Sequence, residues 1–86
     1  MRLDKFLKVS RIIKRRTVAT SAASSDKILV NDRIAKPSKD VRVGDIITIE
    51  YYKRTLKVKV LEVLENVKAS EAEKMYEIIE LTENEE

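Results

Sequence analysis

Cysteine, histidine and tryptophan are absent from the 86 residues, and there is one glycine (Gly44) and one proline (Pro37). Without cysteine there is no disulfide scaffold, thiolate metal site or cysteine nucleophile. Without histidine the commonest general base and metal ligand is missing. A single glycine excludes a Walker loop and a dinucleotide fingerprint, because both need several glycines for close backbone approach to phosphate. No cofactor, no metal and no catalysis are expected. Long apolar runs are missing too. The longest is Ile28-Leu29-Val30, far short of a membrane span or a signal-peptide core. No membrane partner is expected, and the expected compartment is the cytoplasm. The length suits one small domain with a thin stability margin.

Hydrophobic residues make up 43% of the chain, enough for a core, and charged residues 38%, well above the usual quarter. The net charge of +3 hides an asymmetry. Residues 1–20 carry seven Lys/Arg against Asp4 alone, a balance of +6. Residues 21–59 carry nine against five acids, a balance of +4. Residues 60–86 hold Lys68 and Lys74 against nine glutamates, a balance of −7. The basic end can face a polyanion and the acidic end cannot.

Residues 2–13 read as an amphipathic helix, with Leu3, Phe6, Leu7, Ser10 and Ile13 on one side and Asp4, Lys5, Lys8 and Arg11 on the other. Ile12 falls towards the polar side, against one straight helix. Lys14-Arg15-Arg16 reads as a basic turn. Residues 16–24 read as a second helix with a small-residue face of Val18, Ala19, Ala22 and Ala23. Its Ser and Thr content makes it lean on tertiary packing. From Lys27 the period changes to two. Strands are expected at 28–30, 33–35, 46–51, 55–64 and 76–81, with a tight turn at Asn31-Asp32 and another at Val43-Gly44-Asp45. Ser70-Glu71-Ala72-Glu73 can cap a short helix through Met75. Tyr51, Tyr52 and Tyr76 can stack on bases as in single-strand binders, but core or sheet-edge packing is the favoured reading. The expected fold is α+β: two short N-terminal helices on a small, mainly antiparallel sheet of four or five strands, with one short late helix. Residues 1–81 form the single domain and 82–86 an acidic tail.

These residues resemble a known family. Met1-Arg2-Leu3-Asp4-Lys5-Phe6-Leu7, Ser10-Arg11, Lys14-Arg15, Thr17, Ala19, Ile28-Leu29-Val30-Asn31, Lys36-Pro37-Ser38 and Val43-Gly44-Asp45 are similar to the RNA-binding domain named after ribosomal protein S-four, an αL-type fold. The likeness is strongest over residues 1–50. Lys14-Arg15-Arg16-Thr17-Val18-Ala19, Glu71-Ala72-Glu73-Lys74-Met75-Tyr76 and the length resemble the RqcP family of bacterial ribosome-associated quality control factors, relatives of heat-shock protein fifteen. The resemblance implies binding to large ribosomal subunits that still carry peptidyl-tRNA, with contacts to ribosomal RNA and tRNA. It implies action beside an NFACT-family (RqcH-type) factor that adds an alanine tail to the stalled chain. A monomer is expected. Two positions depart from the family. Asp26 and Asp32 stand where it usually has glycine, so positive φ there costs stability and adds negative charge beside the RNA face.

An RNA helix hides its base edges in a narrow major groove, so a small domain reads backbone and shape. Phosphates call for Arg forks and Lys point charges. The main candidates are Arg2, Lys5, Arg11, Lys14, Arg15 and Arg16, with Arg2 and Arg16 first because the family motif carries both. Asp4 is a candidate to orient a neighbouring Arg or accept from a ribose hydroxyl; otherwise it is a helix N-terminal charge. Lys27, Asn31, Lys36 and Lys39 form a second tier. Three readings compete with the leading one. One is a subunit-recycling role of the heat-shock-fifteen type. Another is a small DNA-binding module, disfavoured because the second helix lacks the Gln, Asn and Arg needed for base readout. The third is an enzyme, for which this length has no space.

Overall fold

The computed structural model describes residues 1–83. The chain runs α1 (Leu3–Val9), α2 (Arg16–Ser24), β1 (Ile28–Val30), β2 (Arg33–Ile34), β3 (Ile46–Glu50), β4 (Arg54–Val60), α3 (Ala69–Ala72), a 3-10 turn (Glu73–Met75) and β5 (Tyr76–Glu83). The five strands form one antiparallel sheet in the order β2-β1-β3-β4-β5. This is the expected α+β architecture.

The core lies between the helices and one sheet face. Leu3, Phe6 and Leu7 of α1 and Ala19 and Ala23 of α2 are buried together with Ile28 and Val30, Ile47 and Ile49, and Val58 and Val60. The period-two pattern of each strand puts these positions on one face. Alanine on α2 lets that helix approach closely. Val18 does not join this face as expected; it is half exposed, because the buried stripe runs i, i+4 through Ala19 and Ala23.

The first helix is shorter than its apolar spacing predicts. It stops at Val9, and Arg11 takes φ +64°. The Ser10 hydroxyl donates to the Leu7 carbonyl at 3.3 Å and the Ile13 N–H to the same carbonyl at 3.1 Å. This turn buries Ile13 and half-buries Ile12, which a straight helix would leave in water. The second helix runs over the residues expected of it and ends with Asp26 at φ +60°. Asp26 N–H donates to Ala23 (3.2 Å) and Lys27 N–H to Ala22 (3.0 Å), the paired bonds of a Schellman stop.

Asn31 and Asp32 form the two-residue hairpin turn with φ +53° and +65°, the backbone of a type I′ turn. Both family glycine positions therefore hold aspartate in the left-handed region. Four further expectations need correction. Strand β4 ends at Val60, where pairing gives way to an irregular 61–68 segment, so Leu64 lies outside it. Ser70 lies inside α3 rather than capping it; the N-cap is Lys68, with no side-chain cap bond. Tyr52 is 85% exposed at the β3–β4 turn, with Lys53 Nζ 5.9 Å from its ring centroid. Strand β5 continues through Thr82 and Glu83, paired with Thr55 and Arg54, two residues into the expected tail. Residues 84–86 of that tail lie outside the described residues.

Candidate nucleic-acid interface

Residues 36–41 cross the start of α1 and set its N-terminus. Leu3 N–H donates to the Lys39 carbonyl (2.8 Å), Asp4 N–H to Pro37 (3.1 Å) and Val41 N–H to Met1 (2.8 Å). The Lys39 and Pro37 carbonyls satisfy helix-end donors in place of a side-chain cap. Asp4 is thereby held at the junction of the two helix starts, with its residue 2% exposed.

Two arginines meet on that carboxylate. Arg2 donates from Nε to Oδ1 and from Nη2 to Oδ2, both at 3.1 Å. Arg16, the first residue of α2, donates from Nη2 to Oδ1 at 3.3 Å. Lys5 N–H reaches Oδ1 at 2.8 Å. Thr20 Oγ1 lies 3.1 Å from Oδ2 and 2.9 Å from the Arg16 carbonyl, and its single proton serves one of them at a time. Burial is the largest influence on Asp4 and pushes its pKa up. The bonds from Arg2 and Thr20 and the charges of Arg16 and Arg2 together outweigh it, and Asp4 is held below the usual carboxylate range. Arg2 and Arg16 side chains remain about half exposed (53% and 47%). One buried anion thus orients two guanidinium forks that keep further N–H donors in solvent. Asp4 lies in hydrogen-bond contact with Arg2, Arg16 and Thr20 at the start of α1.

The other candidates divide. Arg11, Lys14 and Arg15 are exposed along the α1–α2 turn, and none has an ion pair among the described residues. Lys5 is half-buried and pairs with Glu65 from the acidic third. That pairing holds Glu65 below its ordinary range, and it engages the Lys5 ammonium within the fold. Lys27 is exposed. Lys36 pairs with Asp26 at 3.3 Å, and Lys39 is exposed beside the α1 start. The Asn31 side chain is engaged within the fold: its amide donates to Asp45 (3.1 Å) and its oxygen accepts from Ile46 N–H (2.9 Å). Thr20 was not among the sequence candidates. Its signal was its place one turn after Arg16 on α2.

The S4 domain family model matches residues 1–47, which contain the Arg2–Asp4–Arg16 cluster. The chain is 52% identical over 86 residues to the RQC P-site tRNA stabilizing factor of Streptococcus pneumoniae, covering 100% of this chain and 98% of that protein. It belongs to the RQC P-site tRNA stabilizing factors, within the S4 domain family. The Bacillus subtilis member of that family is 47% identical over 79 residues, 92% of each chain. Among solved structures, the trimeric heat shock protein 15 of Vibrio cholerae superposes with a TM-score of 0.82 at 30% identity, over 91% of this chain and 80% of that one. The family resemblance seen in the sequence and the fold class agree with these matches.

Proposed function

We propose that the chain is a non-catalytic RNA-binding factor that docks on the large ribosomal subunit and holds peptidyl-tRNA in the P site after stalling. The Arg2–Asp4–Arg16 cluster carries this reading. Each of the two half-exposed guanidinium groups held on the buried carboxylate is a planar fork that can donate to two oxygens of one phosphate. Arg11, Lys14 and Arg15 extend the same positive surface, and Lys27, Lys36 and Lys39 flank it. The curated relatives are named for stabilising P-site tRNA, and the similarity spans nearly all of this chain. In this reading the helix hairpin contacts ribosomal RNA and peptidyl-tRNA, while the acidic strand β5, at the sheet edge opposite β2, turns away from RNA. Holding the tRNA lets an NFACT-family factor on the same subunit extend the nascent chain with alanine. The chain acts in the cytoplasm as a monomer.

The test uses purified large subunits carrying peptidyl-tRNA, an NFACT-family factor and charged alanine tRNA. Adding the chain should raise both the peptidyl-tRNA retained and the length of the alanine tail, and the double variant Arg2→Ala, Arg16→Ala should do neither. Unchanged retention and tail length would overturn the reading. Subunit binding with no effect on tailing would point to recycling of the heat-shock-fifteen type.

A further inference from the structure

A second basic feature lies beside the Arg2–Arg16 cluster and is not used by it. Between β2 and the 36–39 turn is an open groove of about 310 Å³. Its charged lining residues, Arg33, Lys36 and Lys39, are all cations. Its apolar lining is Val30, Ile34 and Ala35. Val30 and Ala35 are buried, whereas Ile34 is 58% exposed. The groove therefore offers an apolar surface with Arg33, Lys36, Lys39 and the polar Ser38 around it. Lys36 is paired to Asp26, an exposed pair of the kind that contributes little and gives way to a stronger anion.

We propose that this groove takes one unpaired nucleotide of single-stranded or looped RNA. The base lies on Ile34 and Ala35, and the flanking phosphates sit on Lys36 and Lys39. Arg33 supplies a planar guanidinium that stacks on a base face. Size favours a single nucleotide over a helix, because the volume is at the low end of the ~300–1,000 Å³ of small-ligand sites. Position favours RNA. The 36–39 turn that forms the groove wall is hydrogen-bonded to the start of α1 through Lys39 and Pro37, so the groove adjoins the helix start that carries Arg2 and Asp4. Unpaired bases are the parts of RNA that a protein can seat in a pocket. The proposal rests on the RNA-binding reading above and adds a second site to it.

The probe is hexauridylate, titrated into ¹⁵N-labelled full chain. Amide shifts are expected at Ile34, Ala35 and Lys39. Ile34→Ser, which changes no charge, should weaken hexauridylate binding about fivefold. Val43→Ser removes an equally exposed apolar side chain, at 64%, and should stay within about twofold of the parent. Arg16→Ala should lose large-subunit binding yet keep the groove shifts. Absence of hexauridylate binding, shifts confined to α1 and α2, or equal affinity of the two serine variants would each overturn the groove. Groove shifts in a chain that does not sediment with large subunits would support the groove and remove the subunit reading alone.

Discussion

Arg2 and Arg16 share one oxygen, Oδ1 of Asp4, at 3.1 and 3.3 Å. The two residues are fourteen positions apart, and their meeting requires α1 and α2 to fold back as a hairpin. Asp4→Asn keeps the shape and removes the charge. Two guanidinium groups are then left against a neutral amide. Stability should fall by about 1–2 kcal/mol, because charge-assisted bonds are lost at a buried site while both arginines can still reach water. Binding to large subunits should fall as well, since the forks lose their common anchor. Urea melts and co-sedimentation of the same preparation check both parts. An asparagine variant with undiminished binding would show that the forks need no orientation.

The depressed pKa of Asp4 has a pH consequence of definite sign. The unfolded carboxyl titrates near ~3.9, and the folded one below its ordinary value. The unfolded state therefore binds the proton first as pH falls. The stabilisation is fully present above about pH 5 and declines as pH drops towards the folded value. Asp40 and Glu65 are shifted in the same direction, so they add to the acid limb and persist when Asp4 is changed. The parent should lose more stability between pH 5 and pH 3 than Asp4→Asn does. Chemical denaturation at a series of pH values measures the difference, and parallel curves would remove Asp4 from the acid response.

Phe6 is fully buried between α1 and the sheet. Phe6→Ala should cost about 3–5 kcal/mol, a large share of the stability of so small a domain. Thermal melts followed by circular dichroism read the loss directly. A melt like the parent's would mean that α1 does not dock on the core.

The parts of the fold that were legible in the sequence are those set by local pattern. The 16–24 helix, the Ile28–Val30 strand and the Asn31-Asp32 turn each follow from periodicity or from residues that tolerate positive φ. The stop of α1 was not legible, because Arg11 holds φ +64° with no glycine to announce it. The reach of β5 to Glu83 comes from pairing with Arg54 and Thr55, a partner its own residues do not specify. The candidate site divides in the same way. Arg2, Asp4 and Arg16 stood out through the family motif. Their shared geometry, the Thr20 hydroxyl and the Lys5–Glu65 pair across sixty positions depend on tertiary packing.

Asp32 sits at φ +65° in the hairpin turn, exposed. Asn-Gly is the preferred pair for this turn type. Asp32→Gly relieves left-handed strain of about 1–2 kcal/mol and loses about 0.4–1 kcal/mol through the freer unfolded chain. A net gain of about 0.5 kcal/mol is expected. Asp32→Ala should be less stable than the parent, because alanine tolerates the left-handed region less well than aspartate. A shift of the urea midpoint in the order Gly, Asp, Ala checks this, and any other order would place the cost of the turn elsewhere.

The last prediction separates a local site from a diffuse field. Arg16 and Arg54 carry the same charge. Arg16 lies on Asp4 beside Arg2, whereas Arg54 starts β4 with its guanidinium carbon 5.0 Å from the Tyr51 ring centroid. Each change to alanine removes one positive charge; Arg54→Ala should leave stability nearly unchanged, whereas Arg16→Ala removes one of the charge-assisted bonds on buried Asp4 and should lose a modest part of it. If affinity came only from long-range attraction, the two variants would weaken binding equally, and the loss would shrink with added salt in both. A bidentate contact is different. Its loss costs about 1.5–3 kcal/mol, roughly tenfold to a hundredfold in affinity. Arg16→Ala should therefore lose at least about tenfold more than Arg54→Ala, and Arg2→Ala should behave like Arg16→Ala because both forks hang on one carboxylate. Co-sedimentation with large subunits at fixed salt, after circular dichroism has confirmed folding, gives the comparison. Equal losses at positions 16 and 54 would mean that the positive field binds RNA without the Asp4-centred geometry.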